Sequence, residues 1–226
     1  MAVLWVEIAR RKGRDVVLDL CDVAPADEIA HARLFNVAGG MCAAMGLGLP
    51  DLYVIQDPAL NALAVGRDDR HASLIVTQGL LDETTLVELE GVVALELYRI
   101  KAGDVGPETF IVPTVGASAV LSEHFERWQL VSRLFGLAAP IVDWVVVRLH
   151  PALRELETDL LAVEFTRYPP GLAQGLDRMA GRSAVAVAIP VTAHLWAAPP
   201  ISTSAHPSSS KVHAHLSDRI AVLQEL

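Results

Sequence analysis

Thr85-Leu86-Val87-Glu88-Leu89-Glu90-Gly91-Val92-Val93-Ala94-Leu95-Glu96-Leu97-Tyr98-Arg99 reads as one capped helix. Thr85 with Glu88 three residues later is a capping box, in which the hydroxyl accepts from an orphan amide and the carboxylate reaches back to the cap. The pattern predicts a helix from this cap to about Ala102. Leu95 and Arg99, four residues apart, share one of its faces. Taken alone, Leu95-Glu96-Leu97-Tyr98-Arg99 is an amphipathic turn with no claim to chemistry.

Upstream lie three short β-rich runs, Leu52 to Ile55, Ala62 to Val65 and Ser73 to Thr77. They are bounded by Asp57-Pro58, by Gly66-Arg67-Asp68-Asp69 and by Gly79, which are turn chemistries. A small sheet follows, mixed or antiparallel, with antiparallel pairing the first expectation. Before it, Pro25 to Met45 is expected to be an amphipathic helix with Ile29, Leu34, Val37 and Met41 inward, stopped at Gly46-Leu47-Gly48-Leu49-Pro50.

Downstream, Pro151 to about Arg167 carries Leu153, Leu156, Leu160 and Val163 at helical spacing and places Glu155 and Asp159 on a neighbouring face. Pro169-Pro170-Gly171 ends that element, and a short helix with Leu172, Leu176 and Met179 follows. Pro199 to Lys211, rich in Ser and Pro, reads as a mobile loop before a last helix from Ser217 to Leu226. The expected fold is α+β, mostly helical, in a single domain over residues 1–226, with 1–24 as an N-terminal extension.

Bulk properties narrow the function. Net charge is −9 with no Lys/Arg block, so the electrostatic term behind most nucleic-acid affinity is absent and no nucleic-acid partner is expected. Apolar residues make up 52% with a mean hydropathy of +0.39, carried by Ala, Val and Leu. The apolar stretches Phe110 to Leu121 and Leu134 to Val147 fall short of the roughly 20 residues a spanning helix needs. They read as buried helices, with a peripheral membrane contact as the alternative. Cys21 and Cys42 form neither a disulfide framework nor a zinc knuckle, and the N-terminus shows no secretory leader, so the expected location is cytoplasmic. Gly116-Ala117-Ser118-Ala119 lacks a nucleophile-elbow frame, and no glycine-rich phosphate loop is seen.

Six ordered blocks resemble the M48 family of zinc metallopeptidases, the HtpX-like gluzincins, most strongly over residues 30–226. Pro50-Asp51-Leu52-Tyr53-Val54-Ile55 with Asn61-Ala62-Leu63-Ala64-Val65-Gly66 resembles the family's entry strands, and Ile75-Val76-Thr77-Gln78-Gly79-Leu80-Leu81 the strand before its active-site helix. Glu88 to Ala94 is similar to the lead into His-Glu-x-x-His, with Asp104 where the family often has an aspartate. Arg154-Glu155-Leu156-Glu157-Thr158-Asp159 resembles the segment that supplies a third zinc ligand and a site-orienting aspartate. Ala193-His194-Leu195-Trp196 and His213 to Ile220 resemble the closing strand and the arginine-bearing tail. The resemblance implies a zincin-like fold.

At the centre the pattern departs from the family. Glu96 keeps the general-base position, Glu155 the glutamate-ligand position and Asp159 the orienting one, but Leu95 and Arg99 stand where the two histidines belong. Leucine has no lone pair to give and arginine is a permanent cation, so the ligand set is degenerate and zinc is expected to be lost. Arg99 is expected to take the place of the metal, donating a forked pair of hydrogen bonds to Glu155 or Glu96. His213 and His215 are expected to face solvent, and the other histidines show no ligand spacing.

The expected function is therefore that of a catalytically inactive peptidase homologue, a pseudopeptidase acting as a peptide- or protein-binding or regulatory module. Its partner would be an extended peptide added along a sheet edge near His71 to Thr77, a membrane protein, or a paralogous active peptidase. The alternatives are a residual metalloendopeptidase with a non-canonical metal site using Glu96 and Glu155, and a homo-oligomeric structural subunit.

Overall fold

A computed structural model describes residues 2–113, 152–200 and 215–226. Its strands are β1 (Ala24–Pro25), β2 (Asp51–Ile55), β3 (Ala62–Gly66) and β4 (Ala72–Thr77), in the sheet order β1-β2-β4-β3. Side chains on a strand point alternately to opposite faces, and that alternation assigns two cores. Leu52, Val54, Ala62, Ala64, Leu74 and Val76 enter one core, while Ile55, Leu63, Val65 and Ile75 enter the other. A sheet covered on both faces has no polar side, which is why β3 and β4 read as nearly unbroken apolar runs.

The pairing is mixed, one of the two arrangements expected, rather than wholly antiparallel. β3 and β4 form a hairpin, but β4 inserts between β3 and β2 and runs parallel to β2, from Asp51 opposite Ser73 to Ile55 opposite Thr77. The His71 to Thr77 run is thus interior, and the edge strands are β3 and the two-residue β1. Nothing local distinguishes β3 from β4, because both are wholly buried.

One face of the sheet carries α2 (Ala32–Met45), α4 (Leu86–Ala102), α5 (Ala152–Thr166), α6 (Pro169–Met179) and α7 (Leu216–Gln224), and α3 (Gln78–Glu83) follows β4 directly. Against the other face lie Val17 of α1 (Ala2–Leu20), Cys21, and Val112 of a helical segment over 105–113. The N-terminal segment thus contributes to a core.

Helix α2 begins later than Pro25. Ala24 and Pro25 pair with β2, and Asp27 accepts from the amides of Ile29 and Ala30 in a local turn, which leaves Ile29 90% exposed. Both capping-box bonds of α4 are present, and the helix ends at Gly103 in the left-handed conformation. Its neighbour α6 packs almost backbone to backbone: a Cβ on Gly91 would stand 2.5 Å from the Leu172 nitrogen. On α5 the buried positions are Thr158, Asp159, Ala162 and Val163, with Leu156 and Leu160 half-buried. Asp159 therefore lies deeper than Leu156 and Leu160, while Glu155 is half-buried like them.

Among the described residues no helix is long and apolar enough to cross a membrane. The apolar stretches beyond residue 113, Ser118 and the Ser/Pro-rich stretch over 201–211 lie outside the described residues.

Candidate functional site

Helix α4 runs beneath β3 and carries Leu95, Glu96 and Arg99 into a small cavity that also receives Asp104 and Glu108, Glu155 and Thr158 of α5, His194, Trp196 and Ala197, and Arg219 of α7. The cavity encloses about 40 Å³, room for roughly one to three water molecules. Elements distant in sequence thus bring Leu95, Glu96, Arg99 and Glu155 to one place, with Asp159 directly behind them on Arg219.

Arg99 organises the centre. One terminal nitrogen donates to both Glu96 oxygens at 3.2 and 3.1 Å and to the Leu195 carbonyl at 2.7 Å. The other donates to Glu108 and, at 3.4 Å, to the His194 carbonyl. The side chain is only 10% exposed. Of the two expected acceptors Arg99 reaches Glu96, but with one nitrogen rather than a fork; its other nitrogen goes to Glu108. Glu155 instead lies 3.8 Å from Arg219, and its field still reaches Arg99.

A second buried pair stands behind the first. Arg219 donates through two nitrogens to the two Asp159 oxygens, each at 2.7 Å, and through its third to the Ala197 carbonyl. Such bidentate geometry is the strongest form of this contact.

Burial raises the Glu96 carboxyl above its ordinary value, with Arg99 opposing and the Glu108 charge adding to the rise. Asp159 is likewise raised by burial against the pull of Arg219. Burial works against the charge on Arg99, yet Glu108 and Glu96 outweigh it and the guanidinium is held even more firmly protonated than a free arginine.

These residues do not fit a zinc ion. Leu95 contributes no donor, and Arg99 already sets a fixed positive charge between Glu96 and Glu108. Among the described residues no group of three or more His, Cys, Asp and Glu side chains is arranged to hold a metal ion. His215 is exposed, while His194 is buried with its Nε2 3.0 Å from the Glu108 carbonyl.

Sequence reasoning missed Glu108 and Asn61. Gly103 resets the helical phase between Arg99 and Glu108, so no periodicity links them. The available signal was Asp104 and Glu108, four apart on an otherwise apolar helical segment. Asn61 donates to the carbonyls of Ser183 and Ala198 and accepts from the Ala62 and Ala198 amides, a role hidden among residues remote in sequence.

No family model and no solved structure matches the chain. Curated relatives do. A protein named Protease HtpX homolog from Dictyoglomus turgidum is 30% identical over 232 residues, covering 96% of this chain and 76% of the relative. One of the same name from Tropheryma whipplei strain Twist is 30% identical over 212 residues, covering 87% and 73%. A third, from Caldanaerobacter subterraneus, is 27% identical over 246 residues, covering 99% and 82%. Similarity of this extent, over most of both chains, defines the class as the M48-type peptidase homologues. Within that class, the chain belongs to the HtpX-like family.

Proposed function

We propose that this HtpX-like chain has a zincin-like fold, has exchanged its metal for a guanidinium and works as a non-catalytic protein-binding or regulatory module. The observation that carries the reading is the Arg99 head between Glu96 and Glu108. A zinc hydrolase needs three protein donors and an open position for water. Here the ligand positions hold one carboxylate, an alkyl group and a buried cation.

Two carboxylates without a Lewis acid are weak catalysts of peptide hydrolysis, so the scaffold serves as a surface for protein recognition. An extended peptide, a membrane protein or an active paralogue of this chain would be the partner, and a cytoplasmic location, free or peripheral to a membrane, suits that role.

Metal analysis of the purified protein, together with casein cleavage in added Zn²⁺ by wild type and Glu96→Gln, tests the reading. Substoichiometric zinc and no cleavage are expected. Bound zinc near one equivalent, with cleavage that disappears in the variant, would instead establish a metalloendopeptidase with a non-canonical site.

A further inference from the structure

The edge of β3 that faces away from β4 is already occupied. Leu63 forms an antiparallel bridge with Trp196, and the Ala197 amide donates to the Ala62 carbonyl at 2.8 Å. At the far end the Thr109 hydroxyl accepts from the Gly66 amide at 3.0 Å. An arriving strand would find these backbone groups engaged.

Side chains do most of the holding. Arg99 donates to the Leu195 carbonyl, Arg219 to the Ala197 carbonyl, and Asn61 both donates to and accepts from Ala198. A continuous ladder would have drawn on neighbouring strand amides. The acids at the degenerate site, Glu96, Glu155 and Asp159, lie beside these same arginines and fix where their heads stand. The vestigial site and the covered edge are thus one construction.

We propose that residues 195–198, a segment bridged to β3 at Trp196, close the β3 edge, with Arg99 as their latch, and that release of Arg99 opens the edge to an extended polypeptide. The last step rests on the protein-binding reading above; the latch itself does not. Charge-assisted hydrogen bonds to a backbone carbonyl are strong enough to hold such a segment, yet each is a single contact that one substitution removes. Asn61 and Arg219 keep the C-terminal half of the segment seated, so loss of Arg99 frees chiefly its N-terminal half.

Amide hydrogen exchange resolves this in the full chain. In Arg99→Gln the amides of residues 195–198 and of β3 are expected to exchange at least about tenfold faster relative to those of α4, and Arg99→Lys should fall between. Unchanged relative exchange in a folded variant overturns the latch. Should Arg99→Gln fail to fold, wild type in sub-denaturing urea decides. Amides of 195–198 opening with a smaller urea dependence than those of α4 support the latch, and opening only with global unfolding overturns it. Fluorescein-labelled β-casein is the binding probe. Tighter binding by Arg99→Gln than by wild type supports both steps, whereas faster exchange with unchanged casein affinity upholds the latch and sinks the peptide-binding reading.

Discussion

Replacing Arg99 with methionine keeps the aliphatic stem and removes the charge. Glu96 is fully buried and Glu108 is 4% exposed, so the variant leaves two carboxylates facing one another without their cation. Breaking a buried pair from one side costs about 3–5 kcal/mol. Proton uptake limits that cost. Protonating one glutamate at pH 7 from an ordinary value of 4.5 costs ~3.4 kcal/mol, and at pH 5 only ~0.7. The penalty is therefore expected to be about 3–5 kcal/mol at pH 7 and to shrink by roughly 2–3 kcal/mol at pH 5. At about 2–4 °C per kcal/mol for a chain of this size, the melting temperature at pH 7 falls by roughly 6–20 °C. Urea denaturation followed by circular dichroism at both pH values measures it. A variant as stable as wild type at pH 7, or a deficit that does not change with pH, would refute the buried-cation account.

Three further outcomes follow from neighbouring contacts. Asp159→Asn strips the charge from a bidentate pair whose members are 1% and 2% exposed, and is expected to cost about 3 kcal/mol or more; adding Arg219→Met should cost less than the two singles summed, as a double-mutant cycle would show. Glu88→Gln keeps the capping acceptor but loses the charge facing half-exposed Arg178, for about 1 kcal/mol or less at pH 7. Burial opposes ionisation of Glu88, but Arg178 and Thr85 lower its pKa on balance, so its contribution is present above the ordinary glutamate value and should vanish in urea melts as pH falls below about 4. Gly91→Ala sets a methyl against the Leu172 backbone at the α4–α6 contact and is expected to cost about 1–3 kcal/mol by thermal melts, without altering the pH dependence at Arg99.

The parts of the fold written in short-range chemistry were legible. Thr85 and Glu88 announce the start of α4, Gly46 the end of α2, and the three strand runs appear within a residue of their expected places. What escaped depends on neighbours remote in sequence. β4 and β3 are equally apolar, so which one stands at the edge is settled by the parallel pairing of β4 with β2. The burial of Asp159 beside the hydrophobic stripe of α5 depends on Arg219, which arrives from the C-terminal helix to pair with it. Leu95, Glu96, Arg99 and Glu155 were found through family blocks and do line one cavity, whereas Glu108 lies beyond a helix break that hides its phase.

Charge balance at this cavity yields a last expectation. Arg99 carries a single charge, and Arg219 is already matched by both oxygens of Asp159. Glu96 and Glu108 then share a single guanidinium, and Glu96 receives only one of its nitrogens. Its raised pKa follows from burial that one shared cation does not fully offset. A carboxyl whose folded pKa lies above its unfolded value favours the folded state most below the unfolded value of 4.5, and that advantage is lost as pH rises through the folded pKa. Glu96→Gln has no proton to lose, so its stability relative to wild type should improve as pH rises from 5 to 8. Paired urea melts across that range measure the difference. A gap that stays constant, or that moves against the glutamine variant at high pH, would mean that Arg99 compensates Glu96 completely.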